Sequence, residues 1–138
     1  MRFNTSRHTL YILAVLVVFT FTACEKLTIP VISDLQVTES EAGIVTVTAL
    51  MQSKQIDEQG VLYSRKVAVP SITQCDGNVT GTLEADGTFT ATLSLEAGKD
   101  YYITVFATNE IGTTTSEVKK IHTSLLSPSP NDNPFPTL

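Results

Sequence analysis

Tryptophan is absent from this 138-residue chain, and cysteine and histidine occur only twice each. If the thiol of Cys24, at the end of an apolar leader, is modified, Cys75 has no partner within the chain and no disulfide framework exists. Cys75 lies among turn residues in SITQCDGN. We expect it to be an inert thiol, with intermolecular pairing as the alternative. A hydrophobic core must therefore stabilise the fold without disulfides.

Residues typical of catalytic and metal sites are equally scarce. His122 is the one histidine beyond the leader, and neither a Gly-x-Ser-x-Gly elbow nor a phosphate loop occurs. Asp57, Glu58 and Asp76 lack the spacing of a calcium loop. The sequence therefore predicts no catalytic residue, no metal site and no cofactor, and we expect that the protein is not an enzyme.

Basic residues are few. The chain has nine basic and 14 acidic residues. Removal of residues 1–23 takes away Arg2 and Arg7, which leaves seven basic residues against 14 acidic ones, a net charge of −7. This balance argues against nucleic acid as a partner and against binding anionic surfaces through a basic patch.

A hydrophobic run long enough to span a bilayer is also missing. Residues 10–23 form an apolar stretch of 14 residues after a basic start. As a helix it would reach about 21 Å, whereas a bilayer core needs about 30 Å. Residues 1–23 therefore have the pattern of a secretory signal peptide. Phe21-Thr22-Ala23-Cys24 resembles a bacterial lipobox, although leucine is usual where Phe21 stands.

The lipobox resemblance implies that Cys24 carries a lipid and becomes the N-terminus, with residues 24–30 as a tether. The alternative is that Cys24 is an ordinary, unmodified residue that follows the cleavage site of a secretory signal peptide. Glu25 does not match the aspartate that retains some lipoproteins of Gram-negative bacteria in the inner membrane. The resemblance thus implies a lipid-anchored outer-membrane protein, at the cell surface or on the periplasmic face.

Apolar residues between positions 31 and 124 follow a period of two, which is typical of strands with one buried side. In TFTATLSL, apolar Phe89, Ala91, Leu93 and Leu95 alternate with hydroxyl residues. Asp86-Gly87 is a signal for a two-residue hairpin. No stretch predicts a helix. Seven strands are predicted, at 32–37, 43–50, 60–66, 79–84, 88–95, 100–108 and 117–123, which describes an all-β sandwich.

The final segment, 125–138, has a different composition. It contains four of the six prolines of the chain, at positions 128, 130, 134 and 136. Proline removes a backbone donor and favours an extended, solvated chain, so we expect a disordered tail. A proline-rich docking peptide is the alternative, although Phe135 is its only aromatic residue.

The segment LEAGKDYYITVFATNEIG resembles the tyrosine corner and the following strand of fibronectin type III domains. Leu95, Gly98 and Tyr101 stand at the corner positions. GVLYS at 60–64 and ATNEIGTTTSEV at 107–118 extend the likeness over about 95 residues. The resemblance implies a single seven-stranded, immunoglobulin-like β-sandwich over residues 31–124. Two features depart from it: tryptophan is missing, and the three-residue spacing of Val118 and Ile121 predicts a bulge in the last strand.

Two classes of function are consistent with this sequence. One is a binding module that presents the sandwich to a glycan or to an envelope protein, and the other is a structural spacer or accessory subunit of an outer-membrane assembly. Alternation along the strands predicts that Leu62, Tyr102 and Phe106 point outward and form an exposed apolar stripe. Such stripes often mark interaction surfaces, so these three residues are the predicted partner-binding face. A featureless face would favour the spacer.

Overall fold

The computed structural model describes residues 25–126, and every regular element in this range is a β-strand. The predicted signal peptide, the predicted lipidation site Cys24 and residues 127–138 of the predicted tail lie outside that range. The strands are β1 (Val31–Glu41), β2 (Ile44–Gln52), β3 (Glu58–Ser64), β4 (Gly77–Val79), β5 (Thr82–Leu83), β6 (Thr88–Ser94), β7 (Asp100–Asn109), β8 (Gly112–Thr115) and β9 (Lys119–His122).

Two antiparallel sheets form a sandwich. One has the order β1-β2-β6-β5, and the other has the order β4-β3-β7-β8, with β9 also paired to β7. This strand order is that of an immunoglobulin-like sandwich, so the predicted all-β fold is confirmed. None of the described residues forms a helix that could cross a membrane.

The stretch 79–84, predicted as one strand, is two short strands in different sheets. β4 pairs with β3, whereas β5 pairs with β6. The chain changes sheets at Gly81, where a Cβ atom would lie 2.4 Å from the ring of Phe89. The glycine thus lets the backbone pass directly over the largest buried side chain of the core.

Bulges interrupt both the first and the last strand. Asp34 has a positive φ of 53°, and the register of β1 shifts there, so that both Ile32 and Leu35 face the core. Residues 116–118 separate β8 from β9 and lie opposite only two residues of β7, so the predicted bulge in the last strand is confirmed. Its Ser116 Oγ accepts a hydrogen bond from the Val105 N–H (2.9 Å).

The hairpin at Asp86-Gly87 exists, but its loop has three residues instead of the predicted two. The Gly87 N–H donates to the Glu84 carbonyl (3.0 Å), and the Glu84 N–H donates to the Thr88 carbonyl (2.8 Å). Gly87 has a φ of 91°, whereas Asp86 stays at negative φ. The two-residue type I′ turn needs positive φ at both positions, so a type I turn followed by a left-handed glycine forms instead.

The core lies between the sheets and consists of the inward residues of both. These are Leu35, Val45, Val47, Ala49, Met51, Val61, Phe89, Ala91, Leu93, Tyr101, Ile103, Val105 and Ala107. Their alternation along β2, β6 and β7 is the one that the sequence predicts. Phe89 is the largest fully buried side chain, so a phenyl ring fills a core that has no tryptophan.

Candidate interaction surfaces

The tyrosine corner joins β6 to β7. Tyr101 is 4% exposed, and its hydroxyl accepts a hydrogen bond from the Glu96 N–H (3.1 Å). Its ring meets that of Tyr63 edge to face, with centroids 6.1 Å apart. Gly98 has a φ of 69°, which allows the tight turn between Leu95 and Tyr101. These contacts give the corner a structural role, since Tyr101 presents almost no surface to a partner.

The predicted apolar stripe is not exposed, which corrects the expectation for two of its three residues. Leu62 is 0% exposed and Phe106 is 4% exposed. Both lie on the outer side of the sheet, but β3 and β7 are central strands with a neighbour on each side. Strand alternation gives the direction of a side chain, whereas its exposure depends on the side chains of the neighbouring strands.

The pairing of the strands places specific residues beside each of these two side chains. Leu62 lies between Asn78 of β4 and Thr104 of β7. The Phe106 ring lies over Gly60, where a Cβ atom would come within 2.9 Å of a ring carbon. Gly60 was a visible signal in the sequence, because a glycine opposite an aromatic residue leaves room for the ring to lie flat on the sheet.

Tyr102, the third residue of the predicted face, is half-buried. The Lys120 ammonium is 5.6 Å from the centre of its ring, a cation–π contact that covers part of the aromatic face. The outer side of this sheet therefore presents a half-buried tyrosine paired with a cation rather than an apolar stripe.

Asn109 organises one end of the sandwich, which we call the N-terminal pole: residues 25–31, 53–57 and 109–112. Its Nδ2 donates to the carbonyl oxygens of Thr28 (2.7 Å) and Gln55 (3.3 Å). Its Oδ1 accepts from the N–H groups of Ile111 (2.9 Å) and Gly112 (3.3 Å). This side chain is 4% exposed, and it joins three segments far apart in sequence.

Part of the predicted tether 24–30 therefore lies against the domain. Thr28 is bound by Asn109, Pro30 is buried, and Glu25 forms an ion pair with Lys54. The ion pair is solvent-exposed and contributes little to the stability of the fold. The part-buried hydrogen bond from Asn109 to Thr28 and the buried Pro30 hold the segment in place, so the packed domain begins near Thr28.

The opposite pole carries loop 65–76, which connects β3 to β4. The Asp76 carboxylate accepts from the Arg65 N–H (2.7 Å), and Ser71 and Gln74 exchange two backbone hydrogen bonds of 3.0 Å. Pro70 is less than 2% exposed and packs inward. Two aliphatic side chains of this internally bonded loop project into solvent: Val69 is 69% exposed and Ile72 is 50% exposed.

The end of the described chain is fixed at the same pole by Glu39. Its carboxylate accepts from the Gly43 N–H (2.8 Å) and from the Ser124 hydroxyl (2.7 Å). These hydrogen bonds, above all that from Gly43, lower the pKa of Glu39 below its ordinary value of 4.5. Leu125 beyond it is 77% exposed.

Titratable groups do not gather into a reactive centre among residues 25–126. His122 lies 2.7 Å from the Asp100 carboxylate on an exposed strand, and this hydrogen bond lowers the pKa of Asp100. The same range holds no group of three His, Cys, Asp or Glu side chains able to bind a metal. Cys75 is a half-buried free thiol.

A concavity of about 390 Å³ lies between residues 51–56 and the 83–87 hairpin.

Neither a protein-family model nor a curated protein matches this chain. Among solved structures, the chain is similar to a computationally redesigned β-sandwich protein, with a TM-score of 0.51 and 21% identity over 74% of this chain and 100% of that one. The sensor domain of the anti-sigma factor RsgI4 from Pseudobacteroides cellulosolvens matches with a TM-score of 0.45 and 14% identity, over 75% of this chain and 100% of that domain. A human fibronectin type III domain matches with a TM-score of 0.43 and 17% identity, over 78% and 88% of the two chains. Together with the strand order, the first likeness shows an immunoglobulin-like β-sandwich, the class that also contains the fibronectin type III domains.

Proposed function

We propose that this chain is a non-catalytic interaction module of the bacterial cell envelope. A lipid on Cys24 anchors it in the outer membrane, and loop 65–76 binds a protein partner. The observation that carries the proposal is the exposure of Val69 and Ile72 on a loop held in shape by its own hydrogen bonds. Long ordered loops on a rigid scaffold are common binding elements, and pre-ordering lowers the entropic cost of association.

A protein partner fits this loop better than a glycan. The five aromatic residues within 25–126 are all buried or half-buried: Tyr63, Phe89, Tyr101, Tyr102 and Phe106. An exposed aromatic face is the platform against which the C–H edges of a sugar ring pack. Exposed aliphatic side chains instead provide apolar area that another protein can cover.

The loop is tested with the double variant V69S/I72S. We expect that recovery of the specific partner from detergent-solubilised envelopes falls by about tenfold or more, because apolar contacts at the centre of an interface contribute most of the binding energy. The matched control V31S/I111S removes two exposed aliphatic side chains from the N-terminal pole. Equal recovery by wild type and both double variants, all with unchanged melting temperatures, would contradict this role of the loop.

The anchor is tested separately in the natural envelope. The full chain should incorporate labelled palmitate and partition into the detergent phase, since two or three acyl chains hold a protein durably on a bilayer. C24A should lose the label and either leave the membrane or fail to mature. An alanine variant that stays processed and membrane-bound as before would show that Cys24 is not the anchor.

A structural spacer is the second candidate, and the covered outer face of β3 and β7 favours it. Leu62 and Phe106 offer no apolar stripe to a ligand there. Replacing residues 31–124 by an unrelated sandwich of similar length distinguishes the two functions. A spacer would leave its envelope assembly intact after the exchange, whereas an interaction module would lose its partner.

A further inference from the structure

The lipid-bearing cysteine is close to the N-terminal pole by chain connectivity. Cys24 directly precedes Glu25, and Thr28 is bound to the buried Asn109. Four residues span at most about 14 Å, so a lipid on Cys24 would bring the bilayer surface within about 14 Å of Thr28. Loop 65–76 lies at the other end of β7, whose ten residues extend about 30 Å.

This pole exposes aliphatic side chains where the bilayer would be. Ile111, in the turn between β7 and β8, is 58% exposed, and Ile29 is 42% exposed. Ile29 lies beside the same turn, with a side-chain carbon 3.4 Å from the Cβ position of Gly112. Val31, at the start of β1, is 54% exposed. Three exposed aliphatic residues therefore belong to the pole from which the anchor leaves.

The charges of the pole indicate which kind of membrane contact is available. Lys26 and Lys54 are offset by Glu25, Asp57 and Glu110. Attraction to anionic lipids therefore does not drive the contact. Apolar side chains that enter the interfacial region instead stabilise the membrane contact through the apolar area that they remove from water. A small apolar area is sufficient here because the acyl chains already hold the protein at the bilayer.

We propose that the N-terminal pole lies against the bilayer surface, with Ile29 and Ile111 in the headgroup region, and that loop 65–76 points away from the membrane. This orientation rests on the proposed lipid anchor at Cys24. The orientation follows from the hydrogen bond between Asn109 and Thr28. Because this bond holds the segment after Cys24 against the N-terminal pole, that pole must stay close to the anchored residue.

The absence of tryptophan makes the orientation measurable, since I111W and I72W would each carry the only indole of the chain. Each full-length, acylated variant is reconstituted into phosphatidylcholine vesicles that contain nitroxide-labelled phosphatidylcholine. We expect that the nitroxide quenches about half of the I111W emission and shifts its maximum to the blue, because interfacial side chains enter the headgroup boundary. The I72W emission should be unchanged by the nitroxide and open to aqueous iodide. I29W serves as a second reporter in case I111W does not fold.

Flotation with the vesicles separates the two proposals. Acylated wild type that fails to float, or a C24A variant that floats equally well, would refute the anchor and with it the orientation. Chains that float through Cys24, but whose I111W and I29W emission is as open to iodide as that of I72W, would refute the orientation and leave the anchor intact. Quenching of I72W by the nitroxide, without quenching of I111W, would show the reverse orientation.

Discussion

Replacing Asn109 by aspartate tests the contact that joins the N-terminal segment to the sandwich. The substitution keeps the size of the side chain and leaves an oxygen able to accept from the N–H groups of Ile111 and Gly112. It removes the amide donor that now serves the carbonyls of Thr28 and Gln55. An ionised carboxylate would face both carbonyl oxygens, which repel it.

The cost follows from the hydrogen bonds and the burial. Two lost hydrogen bonds correspond to about 1 kcal/mol each, and the substituted carboxylate oxygen, buried at this 4% exposed position without a donor, adds a further penalty of about 1–2 kcal/mol. We expect N109D to lower the free energy of unfolding by about 2–4 kcal/mol, out of about 5–15 kcal/mol for a domain of this size. The difference should be smaller near pH 4 than near pH 7, because a protonated carboxyl group can donate again.

Urea denaturation of the chain from Glu25 onward measures the effect, with N78D as the matched control. Asn78 is exposed on β4, so its substitution should change stability by less than about 0.5 kcal/mol. Amide exchange should also increase at Thr28 and Ile29 in N109D. An N109D variant as stable as N78D, with unchanged exchange at those residues, would refute the role given to Asn109.

Three further outcomes can be measured with the same chain. Y101F should lower the free energy of unfolding by about 1 kcal/mol, because it loses the hydrogen bond from the Glu96 N–H. Y101A should lower it by about 3–5 kcal/mol, and a decrease below about 1 kcal/mol in Y101A would place the ring outside the core. L62S should cost about 3 kcal/mol because the leucine is fully buried, whereas an exposed residue would tolerate serine with less than about 0.5 kcal/mol. The lowered pKa of Glu39 contributes stability that is present above its ordinary value of 4.5 and is lost as pH falls through the folded-state pKa. In an acid titration, the free energy of unfolding of E39Q should therefore fall less steeply below pH 4.5 than that of wild type. Parallel curves for the two proteins would contradict this role of Glu39.

For the candidate surfaces, the sequence predicts the direction of a side chain but not its exposure. That Leu62 and Phe106 lie on the outer side of the sheet follows from alternation, a local property of any strand. Their burial depends on tertiary neighbours, and the residues beside them, among them Asn78, Thr104 and Gly60, adjoin them only after β3, β4 and β7 have paired. The predicted stripe was therefore on the correct side of the sheet and wrong about exposure.

The sequence by itself determined the all-β class, the inward residues of the central strands, the bulge near Val118 and the negative charge. Each of these follows from composition or from the period-two pattern, which needs no knowledge of the partner strand. Tertiary structure alone decided the sheet change at Gly81 and the hydrogen bond between Asn109 and Thr28, 81 residues apart. These features depend on atoms that only chain folding brings together, so no local periodicity or spacing encodes them.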